Sequence, residues 1–252
     1  MLELKNIRAG YGAAEILHGV SLSFKKGSFV SVIGPNGSGK STLLKAAVGI
    51  IPVSSGDITA DGVSISNLSR RKLAEKTAYL SQGKSVPDMT VEQLALHGRF
   101  PHLSYPRRYT EKDRETVRSA LDRLGISDLA KRPLSSLSGG MRQNAYIAMA
   151  LAQDTDYILL DEPTAYLDIF HQLELMKTLK GLANRGKGIA AVLHDLPLSF
   201  TFSDDIVIIK DGAVAAMGAP KEIYSLPVIR EVFGIELDYL KEEKAYRYKY
   251  PL

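Results

Sequence analysis

The sequence predicts an α/β fold built around a parallel sheet, and three stretches carry that expectation. Phe29-Val30-Ser31-Val32-Ile33 reads as a buried strand that runs through a glycine-rich turn into a helix starting over Ser41-Thr42-Leu43-Leu44-Lys45-Ala46-Ala47-Val48. Tyr157-Ile158-Leu159-Leu160 is a second apolar run, suited to a central strand covered on both faces, and Pro163 stops it. A helical stretch from Phe170 to about Ala183 then leads to Ile189-Ala190-Ala191-Val192-Leu193. The alternation of strand, helix and strand is that of a parallel sheet.

The remaining elements follow in chain order. Met1-Leu2-Glu3-Leu4-Lys5-Asn6 alternates as a strand, and Ile58 to Ile65 reads as a hairpin turning on Asp61-Gly62. From residue 83 to 153 strand character disappears. Val117, Leu121 and Leu124 recur at helical spacing, Ala145 to Ala152 form a small-residue helix, and Pro101, Pro106 and Pro133 punctuate the loops. Strands return beyond 154, ending with Ile206-Val207-Ile208-Ile209 before Asp211-Gly212. The last segment, Tyr246-Arg247-Tyr248-Lys249-Tyr250, is aromatic and basic and reads as a plain tail, with a contact surface as the alternative. One domain, 1–252, is therefore expected in two lobes: a core lobe of 1–82 and 154–235, a helical lobe of 83–153, and a tail of 236–252.

Chemistry enters with the glycine-rich turn. Gly34-Pro35-Asn36-Gly37-Ser38-Gly39-Lys40-Ser41 fits the phosphate-loop pattern G-x-x-x-x-G-K-[ST] between a strand and a helix, the context that pattern requires. Glycines 37 and 39 let main-chain N–H groups turn inward, and the helix N-terminus adds partial positive charge. Lys40 is expected to reach the β- and γ-phosphates of a nucleotide and the Ser41 hydroxyl to ligate Mg²⁺, with Thr42 beside them in the binding set. The second half of such a site is an acid at the end of a buried strand. Asp161 is expected to hold Mg²⁺, and the adjacent Glu162, not committed to the metal, to accept a proton from the attacking water.

Between these halves lies Leu137-Ser138-Gly139-Gly140-Met141-Arg142-Gln143. Together the phosphate loop, this run and the acids resemble the ATP-binding-cassette family over nearly the whole chain. The resemblance implies a P-loop NTPase (RecA-like) core with an N-terminal antiparallel β subdomain and an inserted α-helical subdomain. It further implies that two copies pack head to tail as a homodimer, so that Ser138, Gly139 and Gly140 of one cap the γ-phosphate of ATP held by the other. Tyr11 matches the aromatic that stacks on adenine, Gln82 the glutamine that contacts Mg²⁺ and water, Asp168 the loop crossing the interface, and His194 the histidine on the γ-phosphate. Gly98-Arg99-Phe100-Pro101-His102, Ala150-Leu151-Ala152-Gln153 and Leu167 to Gln172 resemble the subgroup serving importers of iron-siderophores, haem and cobalamin. Phe100, Met141 and Asn144 depart from residues more usual in that family.

Composition bounds this reading. A net charge of +4 carries no basic run that would mark a nucleic-acid stripe, and the absence of cysteine excludes disulfides and thiolate metal sites. The N-terminus lacks a signal-peptide core, and no stretch approaches the roughly 20 apolar residues of a membrane span. The resemblance then implies a peripheral protein on the cytoplasmic side of the cell (inner) membrane. Its partners are integral membrane permease subunits and, through them, a periplasmic or lipid-anchored substrate-binding protein. Two alternatives stay open at the level of sequence: an ATPase working with soluble scaffolds, as in iron-sulfur cluster assembly, and a low-turnover nucleotide-binding module.

Overall fold

A computed structural model describes residues 1–81 and 86–249. The chain opens with an antiparallel pair, β1 (Leu2–Tyr11) and β2 (Ala14–Phe24), and passes through β3 (Phe29–Ile33) into α1 (Lys40–Ala47). β4 (Val53–Ala60) and β5 (Val63–Ser64) form the expected hairpin. Its turn has positive φ at both Asp61 and Gly62, the twist a two-residue hairpin turn needs. α2 (Arg70–Lys76) follows, capped by the Ser69 side chain, and leads into β6 (Thr77–Leu80).

Helices occupy the next stretch: α3 (Val91–His97), α4 (Glu111–Arg123) and α5 (Gly139–Ala152). Thr90 with Gln93, and Thr110 with Asp113, form reciprocal capping boxes that fix where α3 and α4 begin. Strands then alternate with helices through β7 (Tyr157–Asp161), α6 (Ile169–Asn184), β8 (Gly188–Val192), α7 (Leu196–Phe202) and β9 (Asp205–Lys210). β10 (Ala213–Gly218), the short helices α8 (Pro220–Ile223) and α9 (Pro227–Phe233), and a pair β11 (Glu236–Leu240) and β12 (Ala245–Lys249) complete the described chain.

Among the described residues two large sheets result. One is antiparallel, in the order β2-β1-β4-β5; the other runs β10-β9-β3-β8-β7-β6, parallel except at the β9–β10 hairpin. Every residue of β3, β7 and β8 is buried, as the unbroken apolar runs require. Their side chains alternate between two cores. Val30, Val32, Leu159, Ala190 and Val192 pack with α1 and the antiparallel sheet, whereas Phe29, Ile158, Leu160, Ile189 and Ala191 pack with α5, α6 and the helical stretch. Each fully buried aliphatic side chain contributes about 1.5–3 kcal/mol of transfer free energy, so the central strands anchor both layers. No helix among the described residues is long and apolar enough to cross a membrane.

The plain tail expected over Tyr246 to Tyr250 is corrected over its described residues, 246–249. Residues 236–249 form the β11–β12 hairpin, which docks on α7 and buries Leu237 and Tyr246 beside Phe200. The Phe200 and Tyr246 rings meet edge to face at 5.4 Å, and the Tyr246 N–H donates to Thr201 Oγ1. The physical reason is legible afterwards: Leu237 and Tyr239, then Tyr246 and Tyr248, alternate with charged residues as a half-buried hairpin does.

Candidate active site

The phosphate loop is shaped by its neighbours. Gly34 lies so close to β9 that a Cβ there would sit 2.1 Å from the Ile209 carbonyl oxygen, which only glycine avoids. Gly39 occupies the N-cap of α1 in the left-handed region and offers no side-chain cap. The first-turn N–H groups of α1 therefore point to whatever anion the loop receives. Lys40 is 5% exposed, and its Nζ donates to the carbonyls of Gly34 at 2.9 Å and Pro35 at 2.7 Å. Burial pulls its pKa down, with the nearby Glu162 and Asp161 charges opposing. Ser38 Oγ is buried and makes no hydrogen bond among the described residues. A loop that sets the unbonded, buried Ser38 hydroxyl and the N-terminus of α1 beside the Lys40 ammonium fits phosphate oxygens.

The acids stand at the end of β7. Asp161 is 2% exposed; its Oδ1 accepts from Ser41 Oγ at 2.8 Å and its Oδ2 from the Tyr79 hydroxyl at 3.2 Å. Tyr79 reaches it because β6 pairs in parallel with β7, with Tyr79 opposite Leu159 and hence on the same face as Asp161. Burial raises the Asp161 pKa, and the hydrogen bonds from Ser41 and Tyr79 only partly offset that. A buried carboxylate beside a hydroxyl, both hard oxygen donors, fits a divalent cation that would keep it ionised. Glu162 has φ of 53°, a left-handed conformation costing a non-glycine residue about 1–3 kcal/mol. Its Oε1 lies 2.7 Å from His194 Nε2.

A cavity of about 720 Å³ joins these pieces, bringing Asn36, Gly37, Gly39, Lys40, Ser41 and Thr42 together with Tyr11, Glu162 and His194. Ile16 also lines it, and Lys45 Nζ donates to the Tyr11 hydroxyl at 3.3 Å. Sequence reasoning missed Tyr79, Ile16 and Lys45. Only the helical and strand registers bring them to the site, and each is an ordinary residue in its own segment.

The remaining expected residues lie elsewhere in the chain. Ser138 caps α5, accepting from the Met141 N–H at 3.3 Å, and Gly139 and Gly140 open that helix. They sit against Tyr166 and Leu167, where a Cβ on Gly140 would meet the Tyr166 carbonyl oxygen at 3.4 Å. None of the three lines the cavity. Gln143 Nε2 donates to the Pro163 carbonyl at 3.1 Å and so links the same helix to the segment after Glu162. Asp168 caps α6, accepting from the His171 N–H at 2.9 Å and lying 2.8 Å from His171 Nδ1; those His171 hydrogen bonds hold its carboxyl below the usual range. Met141 and Tyr166 are exposed on this side. Gln82 lies outside the described residues.

The chain is similar in sequence and in fold to known proteins. The sequence profile of the ABC transporter family matches residues 17–165. The chain is 41% identical, over 93% of its length and 87% of the relative's, to the petrobactin import ATP-binding protein FpuD of Bacillus anthracis. It is 38% identical, over 92% of its length and 86% of the relative's, to the ferric enterobactin transport ATP-binding protein FepC of Escherichia coli (strain K12). The dimeric structure of MJ0796, a bacterial ABC transporter cassette, matches with a TM-score of 0.77 at 30% identity, covering 87% of this chain and 99% of that one. With the family profile spanning more than half of the chain, and relatives of this identity aligned over most of their length, the chain belongs to the ABC transporter family, as an ATP-binding and ATP-hydrolysing domain of it.

Proposed function

We propose that the chain is the ATP-hydrolysing subunit of an importer for metal chelates of the iron-siderophore, haem or cobalamin class. It acts as a homodimer on the cytoplasmic face of an integral membrane permease that receives its cargo from a substrate-binding protein. The observation that carries the reading is the separation of the site into two parts. Phosphate loop, Glu162 and His194 share one cavity, while Ser138, Gly139 and Gly140 lie outside it at the start of α5. That arrangement supports a second copy supplying the signature residues, and two-fold packing then gives two equivalent sites. The relatives' names, petrobactin import and ferric enterobactin transport, support the cargo class.

The residues divide the work. Main-chain N–H groups of residues 36–41 and the Lys40 ammonium bind the phosphates, and Tyr11 stacks on the base. Ser41 and Asp161 would hold Mg²⁺, with Gln82 as a further contact, and the ion supplies neutralisation of charge on the phosphate oxygens. Glu162 takes the proton of the attacking water at its carboxylate as the γ-phosphorus–oxygen bond to ADP breaks, and His194, 2.7 Å away, holds that carboxylate in place. Asp168 stands at the interface. ATP thus favours the closed dimer, and its hydrolysis removes the bridging phosphate.

Affinity purification of the tagged chain from native membranes tests the proposal. An integral membrane permease should copurify, and a ferric siderophore delivered with its binding protein should raise ATP hydrolysis by the complex. Recovery of soluble scaffold proteins instead, with no membrane partner, overturns it.

A further inference from the structure

Two stretches, Gly98 to His102 and Ala150 to Gln153, have no part in the chemistry above, yet they meet at the far end of α5. Gly98 touches α5 so closely that a Cβ would lie 2.1 Å from the Met149 carbonyl oxygen. Arg99 Nη1 donates to the Ala152 carbonyl at 2.9 Å while its Nε pairs with Asp113 at 2.9 Å. His102 Nε2 lies 2.7 Å from the Gln153 carbonyl oxygen. The C-terminal carbonyls of a helix have no partner within it, and here two cationic or donor side chains satisfy them. The end of α5 is thereby held by its own lobe.

Gln153 holds the same end to the other lobe. Its Nε2 carries two protons and donates both, to the Ala74 carbonyl of α2 at 2.6 Å and to the Thr77 carbonyl opening β6 at 3.0 Å. β6 pairs with β7, whose last residue is Asp161. From this anchor α5 runs 14 residues, about 21 Å at 1.5 Å per residue, to Ser138, Gly139 and Gly140. A small rotation about the anchored end is multiplied along that length into a displacement of the signature glycines.

We propose that Gln153 is a positioning residue: by pinning the C-terminal end of α5 to the α2–β6 junction, it sets where Ser138, Gly139 and Gly140 meet the nucleotide of the second copy. The inference rests on the two-copy site proposed above. Gln153 touches no nucleotide; it acts through α5 on partner engagement, and leaves ATP binding within its own copy unchanged.

The test uses the full chain carrying Glu162→Gln, in which ATP-dependent dimerisation is followed by analytical ultracentrifugation and ATP affinity by fluorescent-nucleotide titration under monomeric conditions. Gln153→Met keeps the side-chain length and removes both donors; Gln153→Ala removes the side chain. Each should weaken ATP-dependent dimerisation about tenfold relative to the Glu162→Gln parent, with unchanged nucleotide affinity and a melting temperature lowered by only about 2–4 °C. Dimerisation equal to the parent's in both variants overturns the proposal. So does a loss of nucleotide affinity in step with dimerisation, which assigns Gln153 to general folding. A parent that fails to dimerise with ATP overturns the two-copy reading itself, and the inference with it.

Discussion

The two ends of the proposed catalytic apparatus are built to different degrees within one chain. At the phosphate loop, Lys40, Ser38 and Asp161 are all buried, and one cavity joins Lys40 and Ser41 to Glu162 and His194. At the signature end, Ser138 caps a helix, Met141 and Tyr166 are exposed, and none of residues 138–140 reaches that cavity. Burial makes the first end rigid and its groups electrostatically strong, while exposure leaves the second available for a surface brought by another copy. If, as proposed above, a second copy supplies the signature residues, binding ATP needs one copy and turning it over needs two.

Mutations at the two ends should therefore fail differently. The largest effect is expected for Glu162→Gln, which removes the proton acceptor and should lower kcat by about 10³-fold in a phosphate-release assay while ATP binding persists. Lys40→Ala, at the buried end, should weaken nucleotide binding itself by about 10²-fold, measured with a fluorescent ATP analogue. Ser138→Arg, at the exposed end, should cost at least about 10²-fold in turnover and leave that binding constant as in the unmodified chain. Equal losses of affinity in the Lys40 and Ser138 variants would erase the comparison.

Smaller effects sharpen the same contrast through stability. Arg99 and Asp113 form a buried pair in the helical lobe, with side chains 7% and 8% exposed. Burial works to raise the Asp113 carboxyl, but hydrogen bonds from the Thr110 hydroxyl and main chain and from Arg99 outweigh it and hold the pKa down at about 2. Lowered below its unfolded value near 3.9, this group adds stability that is fully present above about pH 5 and is lost as pH falls towards 2. Asp113→Asn should cost about 3 kcal/mol in urea denaturation at pH 7 and flatten the acid limb of the stability profile. An unchanged acid limb would contradict the assignment. The smallest effect belongs to the C-terminal hairpin, where the Tyr248 hydroxyl accepts from the Leu196 N–H at the start of α7. Tyr248→Phe should lower stability by about 1 kcal/mol in the same assay, without the fold losses in kcat expected of Glu162→Gln.

Much of the fold was legible because its signals are local. Phe29 to Ile33 and Tyr157 to Leu160 announce buried strands by their own composition, and the phosphate loop is contiguous. The C-terminal hairpin was misread because its alternation is spread among charged residues at the chain's end, where an aromatic, basic segment looks like a solvated tail. The supporting bonds of the site were out of reach for another reason. Tyr79 meets Asp161 only through the β6–β7 register, and Gln153 meets Ala74 and Thr77 only once the two lobes are packed. Neither contact leaves a pattern within its own segment.

The central claim is that the signature residues of one copy complete the phosphate site of another. Because the chain contains no cysteine, cysteines placed at Asn36 and Ser138 of the same chain would be the only thiols present. Oxidative cross-linking with and without ATP then reads their proximity directly. A covalent dimer is expected with ATP and none without it; a disulfide closed within a single copy, or no ATP-dependent cross-link at all, overturns the two-copy site.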